Sequence, residues 1–170
     1  MLVAFLLVSC NGDKEEEWRL ERNKFYQYQR SDTSAAIRQG ELLVKIAENT
    51  FGHYSDSTAM AFNNLSTLYR EIGQYGDSHK ASEQEYQILS RICRDVRLAD
   101  AANRSATYMI QMGVLTPEIE VSLSQAQAIS ESVFRYRVSL SNKAVAIEAT
   151  FRTTKIYLNL SLYYISIGKI

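Results

Sequence analysis

One segment of this 170-residue chain occurs twice. Residues 64–75 read NLSTLYREIGQY, and residues 159–170 read NLSLYYISIGKI. Both copies contain Asn-Leu-Ser, a tyrosine four residues after the leucine, and a glycine four residues after that tyrosine. A sequence that repeats in this way indicates one supersecondary unit used more than once. It predicts a solenoid, in which each unit packs on its neighbour.

Composition predicts that the repeated unit is helical. The chain has one proline and seven glycines, which leaves long windows without a breaker and favours helices over the frequent turns of an all-β fold. With 46% hydrophobic and 22% charged residues it resembles an ordinary folded domain. Its 19 basic and 19 acidic residues balance, so net charge does not direct it to nucleic acid or to an anionic membrane.

Apolar spacing divides the chain into helical windows. We expect helices over residues 15–30, 35–49, 57–72, 77–93, 98–112 and 118–140, with Asp56 or Ser57 capping the third. Short turns around residues 73–76 and 113–117 would join successive helices into αα-hairpins. The expected fold is an all-α solenoid of about three to four helix pairs, the last one incomplete.

The repeated residues resemble the tetratricopeptide repeat (TPR). Leu65, Ser66, Tyr69 and Gly73 occupy the consensus positions, and a second set does the same at Leu160, Ser161, Tyr164 and Gly168. A degenerate copy is formed by Ser105, Ala106, Met109 and Gly113. The long approach at residues 51–59 and the Asn-Asn-Leu triplet resemble the longer repeats of kinesin light chains and many bacterial proteins. The resemblance implies a right-handed superhelix over residues 31–170.

The last hairpin is predicted to be longer than the long repeats of this family. Gly113 and Gly168 are 55 residues apart, whereas Gly73 and Gly113 are 40 apart. Shared between two helices, the excess amounts to about two turns on each. The tip is expected at residues 139–142, although residues 118–167 could instead form a long coiled segment.

We also expect an uncovered apolar surface on the last helix, which would make the chain a fragment of a longer protein or require an unlike helix partner. This surface consists of Tyr157, Leu160, Tyr163, Tyr164, Ile165 and Ile167.

The N-terminus has a different character. Residues 1–9 are almost wholly apolar, and Leu7-Val8-Ser9-Cys10 resembles a bacterial lipobox, in which the cysteine is lipidated after cleavage. This predicts a signal segment over residues 1–10, a tether and first helix over residues 11–30, and a lipid-anchored location in the bacterial envelope, at the outer membrane or cell surface. An apolar N-terminal strand or helical turn buried on the domain is the alternative.

Residues suited to catalysis or metal binding are sparse. His53 and His79 stand in no zinc-ligand spacing, Cys93 has no base placed beside it, and no phosphate-binding loop occurs. Glu83 and Glu85 are spaced for opposite sides of a helix and are expected on its solvated face. We therefore predict no cofactor, no metal and no enzymatic activity.

The TPR resemblance implies that a ligand lies on the concave face formed by the first helix of each pair. Asn64 and Asn159 are the strongest candidates, because an amide both donates and accepts hydrogen bonds and can pair with a peptide main chain. Lysines that bind a terminal carboxylate in some family members are replaced by Glu71, Gln111 and Ser166, which argues against that ligand. The remaining implied groove residues are Asn63, Thr67, Arg70, Asn103, Arg104, Thr107, Leu158 and Leu162.

These observations favour a scaffold that binds another protein and reaches the membrane only through a lipid anchor. The main alternative is the N-terminal sensor or interaction part of a larger signalling or peptidase-linked protein. A free-standing enzyme is a third hypothesis. Activity retained by residues 11–170 and lost on one polar substitution would favour it.

Overall fold

The computed structural model is helical throughout the part of the chain that it describes. It describes the backbone of residues 2–93, 95–139 and 143–169, and the side chains of residues 14–93, 95–132 and 153–169. The helices are α1 (Leu2–Ser31), α2 (Thr33–Phe51), α3 (Asp56–Glu71), α4 (Tyr75–Ile92), α5 (Val96–Gln111), α6 (Pro117–Ser139) and α7 (Lys143–Ser166).

Each helix packs against the next one, and α5 also touches α7. In the described part of the chain this pattern gives the hairpins α1–α2, α3–α4 and α5–α6, and α7 packs on α6 and α5. The expected all-α arrangement of stacked αα-hairpins is confirmed. Helix α1 includes residues 11–14, expected as a tether, and the side chains of the predicted signal segment, including Cys10, lie outside the described residues.

Glycine bends recur at the predicted positions. Gly73, Gly113 and Gly168 have φ values of +76°, +73° and +69°. Each glycine N–H donates to the carbonyl three residues earlier, and the next N–H donates to the carbonyl five residues before it, at 2.8–3.0 Å. These are Schellman motifs, which favour glycine because other residues are strained in the left-handed region. The three repeats therefore end their first helix in the same way.

Helices α2, α3 and α5 begin at residues whose side chains cap the helix. Asp32 accepts a hydrogen bond from the Ala35 N–H at 3.0 Å and starts α2. Ser55 accepts one from the Thr58 N–H at 3.2 Å and starts α3. The expectation of Asp56 or Ser57 as this cap was wrong by one or two residues, because the serine one residue earlier already has the extended backbone that an N-cap requires.

The last two helices are longer, as predicted. Helices α6 and α7 have 23 and 24 residues, against 16 to 18 in α3 to α5. The difference is about two turns on each helix. Helix α6 ends at Ser139 and α7 begins at Lys143, which brackets the expected tip; residues 140–142 lie outside the described part.

The core follows the stack as a series of small clusters. Trp18 and Phe25 of α1 pack with α2 and α3, while Ile88 and Leu98 lie in the next layer. Many buried positions hold alanine or serine, which lets the helices approach closely. Ser66 Oγ donates to the Ser78 carbonyl at 3.1 Å, and Ser78 Oγ donates back to the Ser66 carbonyl at 2.6 Å. Paired bonds of this kind satisfy buried hydroxyl groups.

The uncovered surface of α7 differs from the one expected. Tyr163 is buried, and Leu160, Tyr164 and Ile167 pack around Ile119 and the rest of the same cluster. These four residues were predicted to lack a partner, but they form the side of α7 that rests on α5 and α6. The exposed apolar residues are instead Tyr157, Leu158, Leu162 and Ile165. Only Tyr157 and Ile165 were correctly placed among them.

Candidate protein-interaction face

The odd-numbered helices α1, α3, α5 and α7 carry all the groove residues expected from the sequence, and we call their shared surface the odd-helix face. It is built from three junctions, α1–α3, α3–α5 and α5–α7. At each junction, polar side chains of one helix bind side chains of the other.

At the α1–α3 junction, the predicted residues already have partners on α1. The Asn64 amide donates to the Tyr26 hydroxyl at 3.4 Å, and the Gln29 amide donates to Glu71 Oε2 at 3.2 Å. Arg70 is exposed and lies 3.9 Å from Glu71. Asn64 and Glu71 are therefore accessible at the surface and held by weak contacts that a ligand could replace.

At the α5–α7 junction, the predicted residues bind one another. The Asn159 amide donates to Asn103 Oδ1 at 2.8 Å and to Thr107 Oγ1 at 3.0 Å, while the Thr107 hydroxyl donates to the Asn103 carbonyl at 2.7 Å. Asn103 is buried, and Asn159 is only 8% exposed. The amide of Asn159 therefore joins α7 to α5 inside the array.

At the α3–α5 junction lies a cleft of about 380 Å³. Asn63 and Arg104, both expected from the sequence, line it. Arg104 Nη2 donates to Glu85 Oε2 of α4 at 2.5 Å, and Arg97 Nη1 lies 3.0 Å from Asp56 Oδ1. The other cleft residues are Ala59, Met60, Leu89 and Asp100.

Glu85 corrects one sequence interpretation. It was expected on a solvated face with Glu83, but Glu85 is 4% exposed. Only Glu83 is solvated, and it lies 3.5 Å from His79. Burial raises the pKa of Glu85, and the charge and hydrogen bond of Arg104 oppose that rise. Spacing alone placed the two acids on different sides of α4, but it could not tell which side is covered by α5.

The remaining expected groove residues divide by exposure. Thr67 is half-buried, while Gln111, Leu158, Leu162 and Ser166 are exposed. The Ser166 hydroxyl donates to the Leu162 carbonyl at 2.7 Å, within its own helix. The sequence analysis missed Tyr26, Met60 and Arg97, which contribute to the same face. Tyr26 belongs to a helix that was predicted from its apolar spacing. None of the repeat copies recognised in the sequence includes α1, so no groove position was assigned there.

The Cys93 thiol is poorly suited to act as a nucleophile. Burial raises the pKa of Cys93, whose thiol donates to Asp95 Oδ1 at 3.5 Å. A raised pKa disfavours the nucleophilic thiolate. Within the described residues, no group of three or more His, Cys, Asp or Glu side chains could hold a metal ion. In the same part of the chain, no helix is long and apolar enough to cross a membrane.

Comparison with known proteins identifies the fold. No protein-family model and no curated protein matches the sequence. Among solved structures, BtubC from P. vanneervenii matches with a TM-score of 0.60 and 14% identity, over 92% of this chain and 65% of that one. This chain thus spans slightly less than two thirds of BtubC.

Two further structures carry the same fold. A kinesin light chain protein of Podosopora anserina with nearly identical TPR-like repeats matches with a TM-score of 0.53, and a variant of it matches with 0.54. Each is 15% identical to this chain, and each match covers 90% of this chain. The match covers 88% of the first protein and 87% of its variant. The chain therefore has the TPR-like helical-repeat fold.

Proposed function

We propose that the protein is an interaction scaffold that binds a peptide or helix of a partner protein on the odd-helix face. The observation that carries this proposal is the α3–α5 cleft, which lies between two first helices of adjacent repeats and contains both apolar and polar side chains. Ligand sites combine these features. A partner segment would cross the cleft and reach Thr67, Gln111 and Leu162.

Site-specific photo-cross-linking tests this assignment. A benzoylphenylalanine residue introduced at Thr67 or Gln111 should capture the partner in the cells that produce the protein. The same residue at Lys45 of α2 or Gln87 of α4, exposed positions on even-numbered helices, is the matched control. Cross-links formed equally at all four positions, or only at the controls, would contradict a role for the odd-helix face.

A pull-down comparing wild type with Asn64→Ala addresses the same surface at one residue. Because the Asn64 side chain makes one hydrogen bond among the described residues, to the Tyr26 hydroxyl at 3.4 Å, its removal should leave the fold intact. Partner recovery should fall if the amide pairs with a ligand main chain. Unchanged recovery would remove Asn64 from the binding site without changing the cross-linking result.

We also propose that the protein is tethered to the bacterial envelope through a lipid on Cys10. The support is the Leu7-Val8-Ser9-Cys10 sequence and the polar residues that follow it. Membrane fractionation should recover wild type in the membrane and release Cys10→Ala. Cys93→Ala, the matched control, should behave as wild type. Release of both wild type and Cys10→Ala, or of neither, would contradict lipid anchoring.

The alternative, an interaction part of a larger signalling or peptidase-linked protein, is supported by the apolar row on α7. Leu158, Leu162 and Ile165 are exposed at spacings of four and three residues, so they form one stripe along the helix. In the preceding repeats, a second helix follows the glycine bend and packs on the first. Sequence encoded after Ile170 that continues with an amphipathic helix would favour this alternative.

A further inference from the structure

We propose that a second cleft, at the α1–α3 junction, binds an acidic side chain of the partner segment, aspartate or glutamate, through Arg22 and Trp18. This inference rests on the proposed function, because it assigns a chemical class to the segment bound on the odd-helix face. The α1–α3 cleft has a volume of about 410 Å³, within the range of roughly 300–1,000 Å³ typical of ligand sites. None of the groove positions expected from the repeat pattern is among the described residues that line it.

Two buried nitrogen donors in the residues lining this cleft have no hydrogen-bond acceptor. Trp18 Nε1 and Arg22 Nε are both enclosed, and neither finds a partner in the described part of the chain. The Trp18 side chain is only 8% exposed. Indole and guanidinium nitrogens can donate hydrogen bonds but cannot accept them. A buried donor without an acceptor is costly, so the cleft favours a ligand that brings acceptor oxygens.

Arg22 is the residue that would meet the ligand first. It is partly exposed, its Cζ lies 4.4 Å from the centroid of the Trp18 ring, and its Nη1 lies 3.9 Å from Met60 Sδ. A thioether sulfur is a weak acceptor, and no carboxylate binds Arg22 among the described residues. Its outer nitrogens can therefore turn toward a ligand. Because the guanidinium group covers the indole ring, this movement would open Trp18 to the same ligand.

Hydrogen bonding, and not net charge, selects the ligand. The described acidic and basic residues that line the cleft balance, two of each sign. Arg19 Nε already donates to Glu16 Oε2 at 2.9 Å, and Glu15 is exposed to water, which screens its charge. A carboxylate accepts at both oxygens and matches the planar fork of the Arg22 guanidinium group. A basic side chain would bring only further donors.

The beginning of α3 and one aromatic ring complete the cleft. Ser57 lines it from the first turn of α3. The backbone N–H groups of a first turn have no acceptor within the helix, and the helix dipole favours negative charge there. Phe51 lines the cleft as well and packs edge to face on Trp18, with the ring centroids 5.4 Å apart. The cleft thus offers an apolar surface for the methylene groups of an acidic side chain and donors for its carboxylate.

Peptide titrations followed by NMR test this assignment on the whole chain. The chain contains one tryptophan, so its indole N–H gives a single resonance in nitrogen-15-labelled protein. The probes are three acetylated and amidated pentapeptides, alanine at four positions and glutamate, glutamine or arginine at the centre. We expect the glutamate peptide to move the indole proton downfield and to bind at least about tenfold more tightly than the glutamine peptide. Equal affinity for these two peptides, tighter binding of the arginine peptide, or an unmoved indole resonance would overturn the proposal.

A matched pair of variants tests the role of Arg22. Arg22→Gln keeps an amide donor but removes the charge and the fork, so it should weaken binding of the glutamate peptide at least about tenfold. Arg30→Gln makes the same change at an exposed position of α1 that does not line the cleft, and it should bind as wild type does. Equal binding by the two variants would count against the proposal. Cross-links on the odd-helix face without a preference for the glutamate peptide would leave the scaffold function standing and remove only this inference.

Discussion

Substitution of Gly40 by alanine tests the close packing of the first three helices. Gly40 is buried in α2, between α1 and α3. A Cβ at this position would lie 2.5 Å from Leu65 Cδ2 and 3.1 Å from Phe25 Cε2. Both neighbours are themselves buried, so neither side chain can rotate into solvent to make room.

Two opposing effects set the magnitude. Alanine in a helix interior is favoured over glycine by roughly 1 kcal/mol. Overpacking a core with one extra methyl group costs about 1–3 kcal/mol, and two buried neighbours at these distances place Gly40 in the upper part of that range. The free energy of unfolding should therefore fall by about 1–2 kcal/mol, which lowers Tm by about 2–8 °C for a chain of this size.

Gly76 provides a matched control. It lies in the first turn of α4, where a Cβ would meet only Met112 Sδ, at 3.8 Å. Gly76→Ala should therefore be neutral or raise stability by a few tenths to about 1 kcal/mol. Both variants are measured by urea unfolding followed by circular dichroism, with equal m-values as the check that only stability changed.

The contact partner is tested by a double-mutant cycle. Leu65→Val removes the Cδ atoms that would collide with the methyl group introduced by Gly40→Ala, so the double variant should lose less stability than the sum of the single variants, by about 1 kcal/mol. If Gly40→Ala is as stable as Gly76→Ala, or if the cycle is additive, then α2 does not approach α1 and α3 as described. The reasoning about stacking would then be wrong.

Three further outcomes are expected. Gly113→Ala should cost about 1–2 kcal/mol through backbone strain alone, because φ is +73° and no described atom lies within 4 Å of the new Cβ; Gly113→Asn should recover part of it. Asn159→Ala should lower stability by about 1–3 kcal/mol, because it leaves Asn103 Oδ1 buried without its donor; an unchanged urea midpoint would contradict this. For Glu85, a pKa raised by burial means that the folded state holds its proton to higher pH than the unfolded state. The free energy of unfolding of wild type, measured relative to Glu85→Gln, should therefore fall as pH rises from below the usual glutamate pKa through the raised pKa. A rise over the same pH range would contradict a raised pKa for Glu85.

Repetition made the architecture predictable. The glycines at 73, 113 and 168 marked three equivalent bends in the sequence, and their φ values agree within a few degrees in the structure. The longer interval before Gly168 likewise predicted the extra turns of α6 and α7. These features are local, because a left-handed bend needs glycine at one position and helix length follows from the distance between breakers.

Side-chain environment was predicted less well. Glu85 and Asn159 both follow the helical pattern, yet one was expected in solvent and the other in a ligand groove, whereas both are buried in polar contacts. Their partners, Arg104 and Asn103, lie 19 and 56 residues away along the chain. No spacing rule within one helix reports on a neighbour at that separation.

The amino-acid sequence by itself determined that this chain forms paired helices that stack, where the first helix of each recognised repeat ends, and that α6 and α7 are longer than α3 to α5. Only the tertiary structure decided which face of each helix is covered, and it thereby placed the cleft, the buried Glu85–Arg104 pair and the exposed row on α7. The physical reason is that helix periodicity defines an apolar side, whereas the burial of a polar side chain depends on the helices packed on it. Those helices come from other repeats, so their positions are known only once the stack has formed.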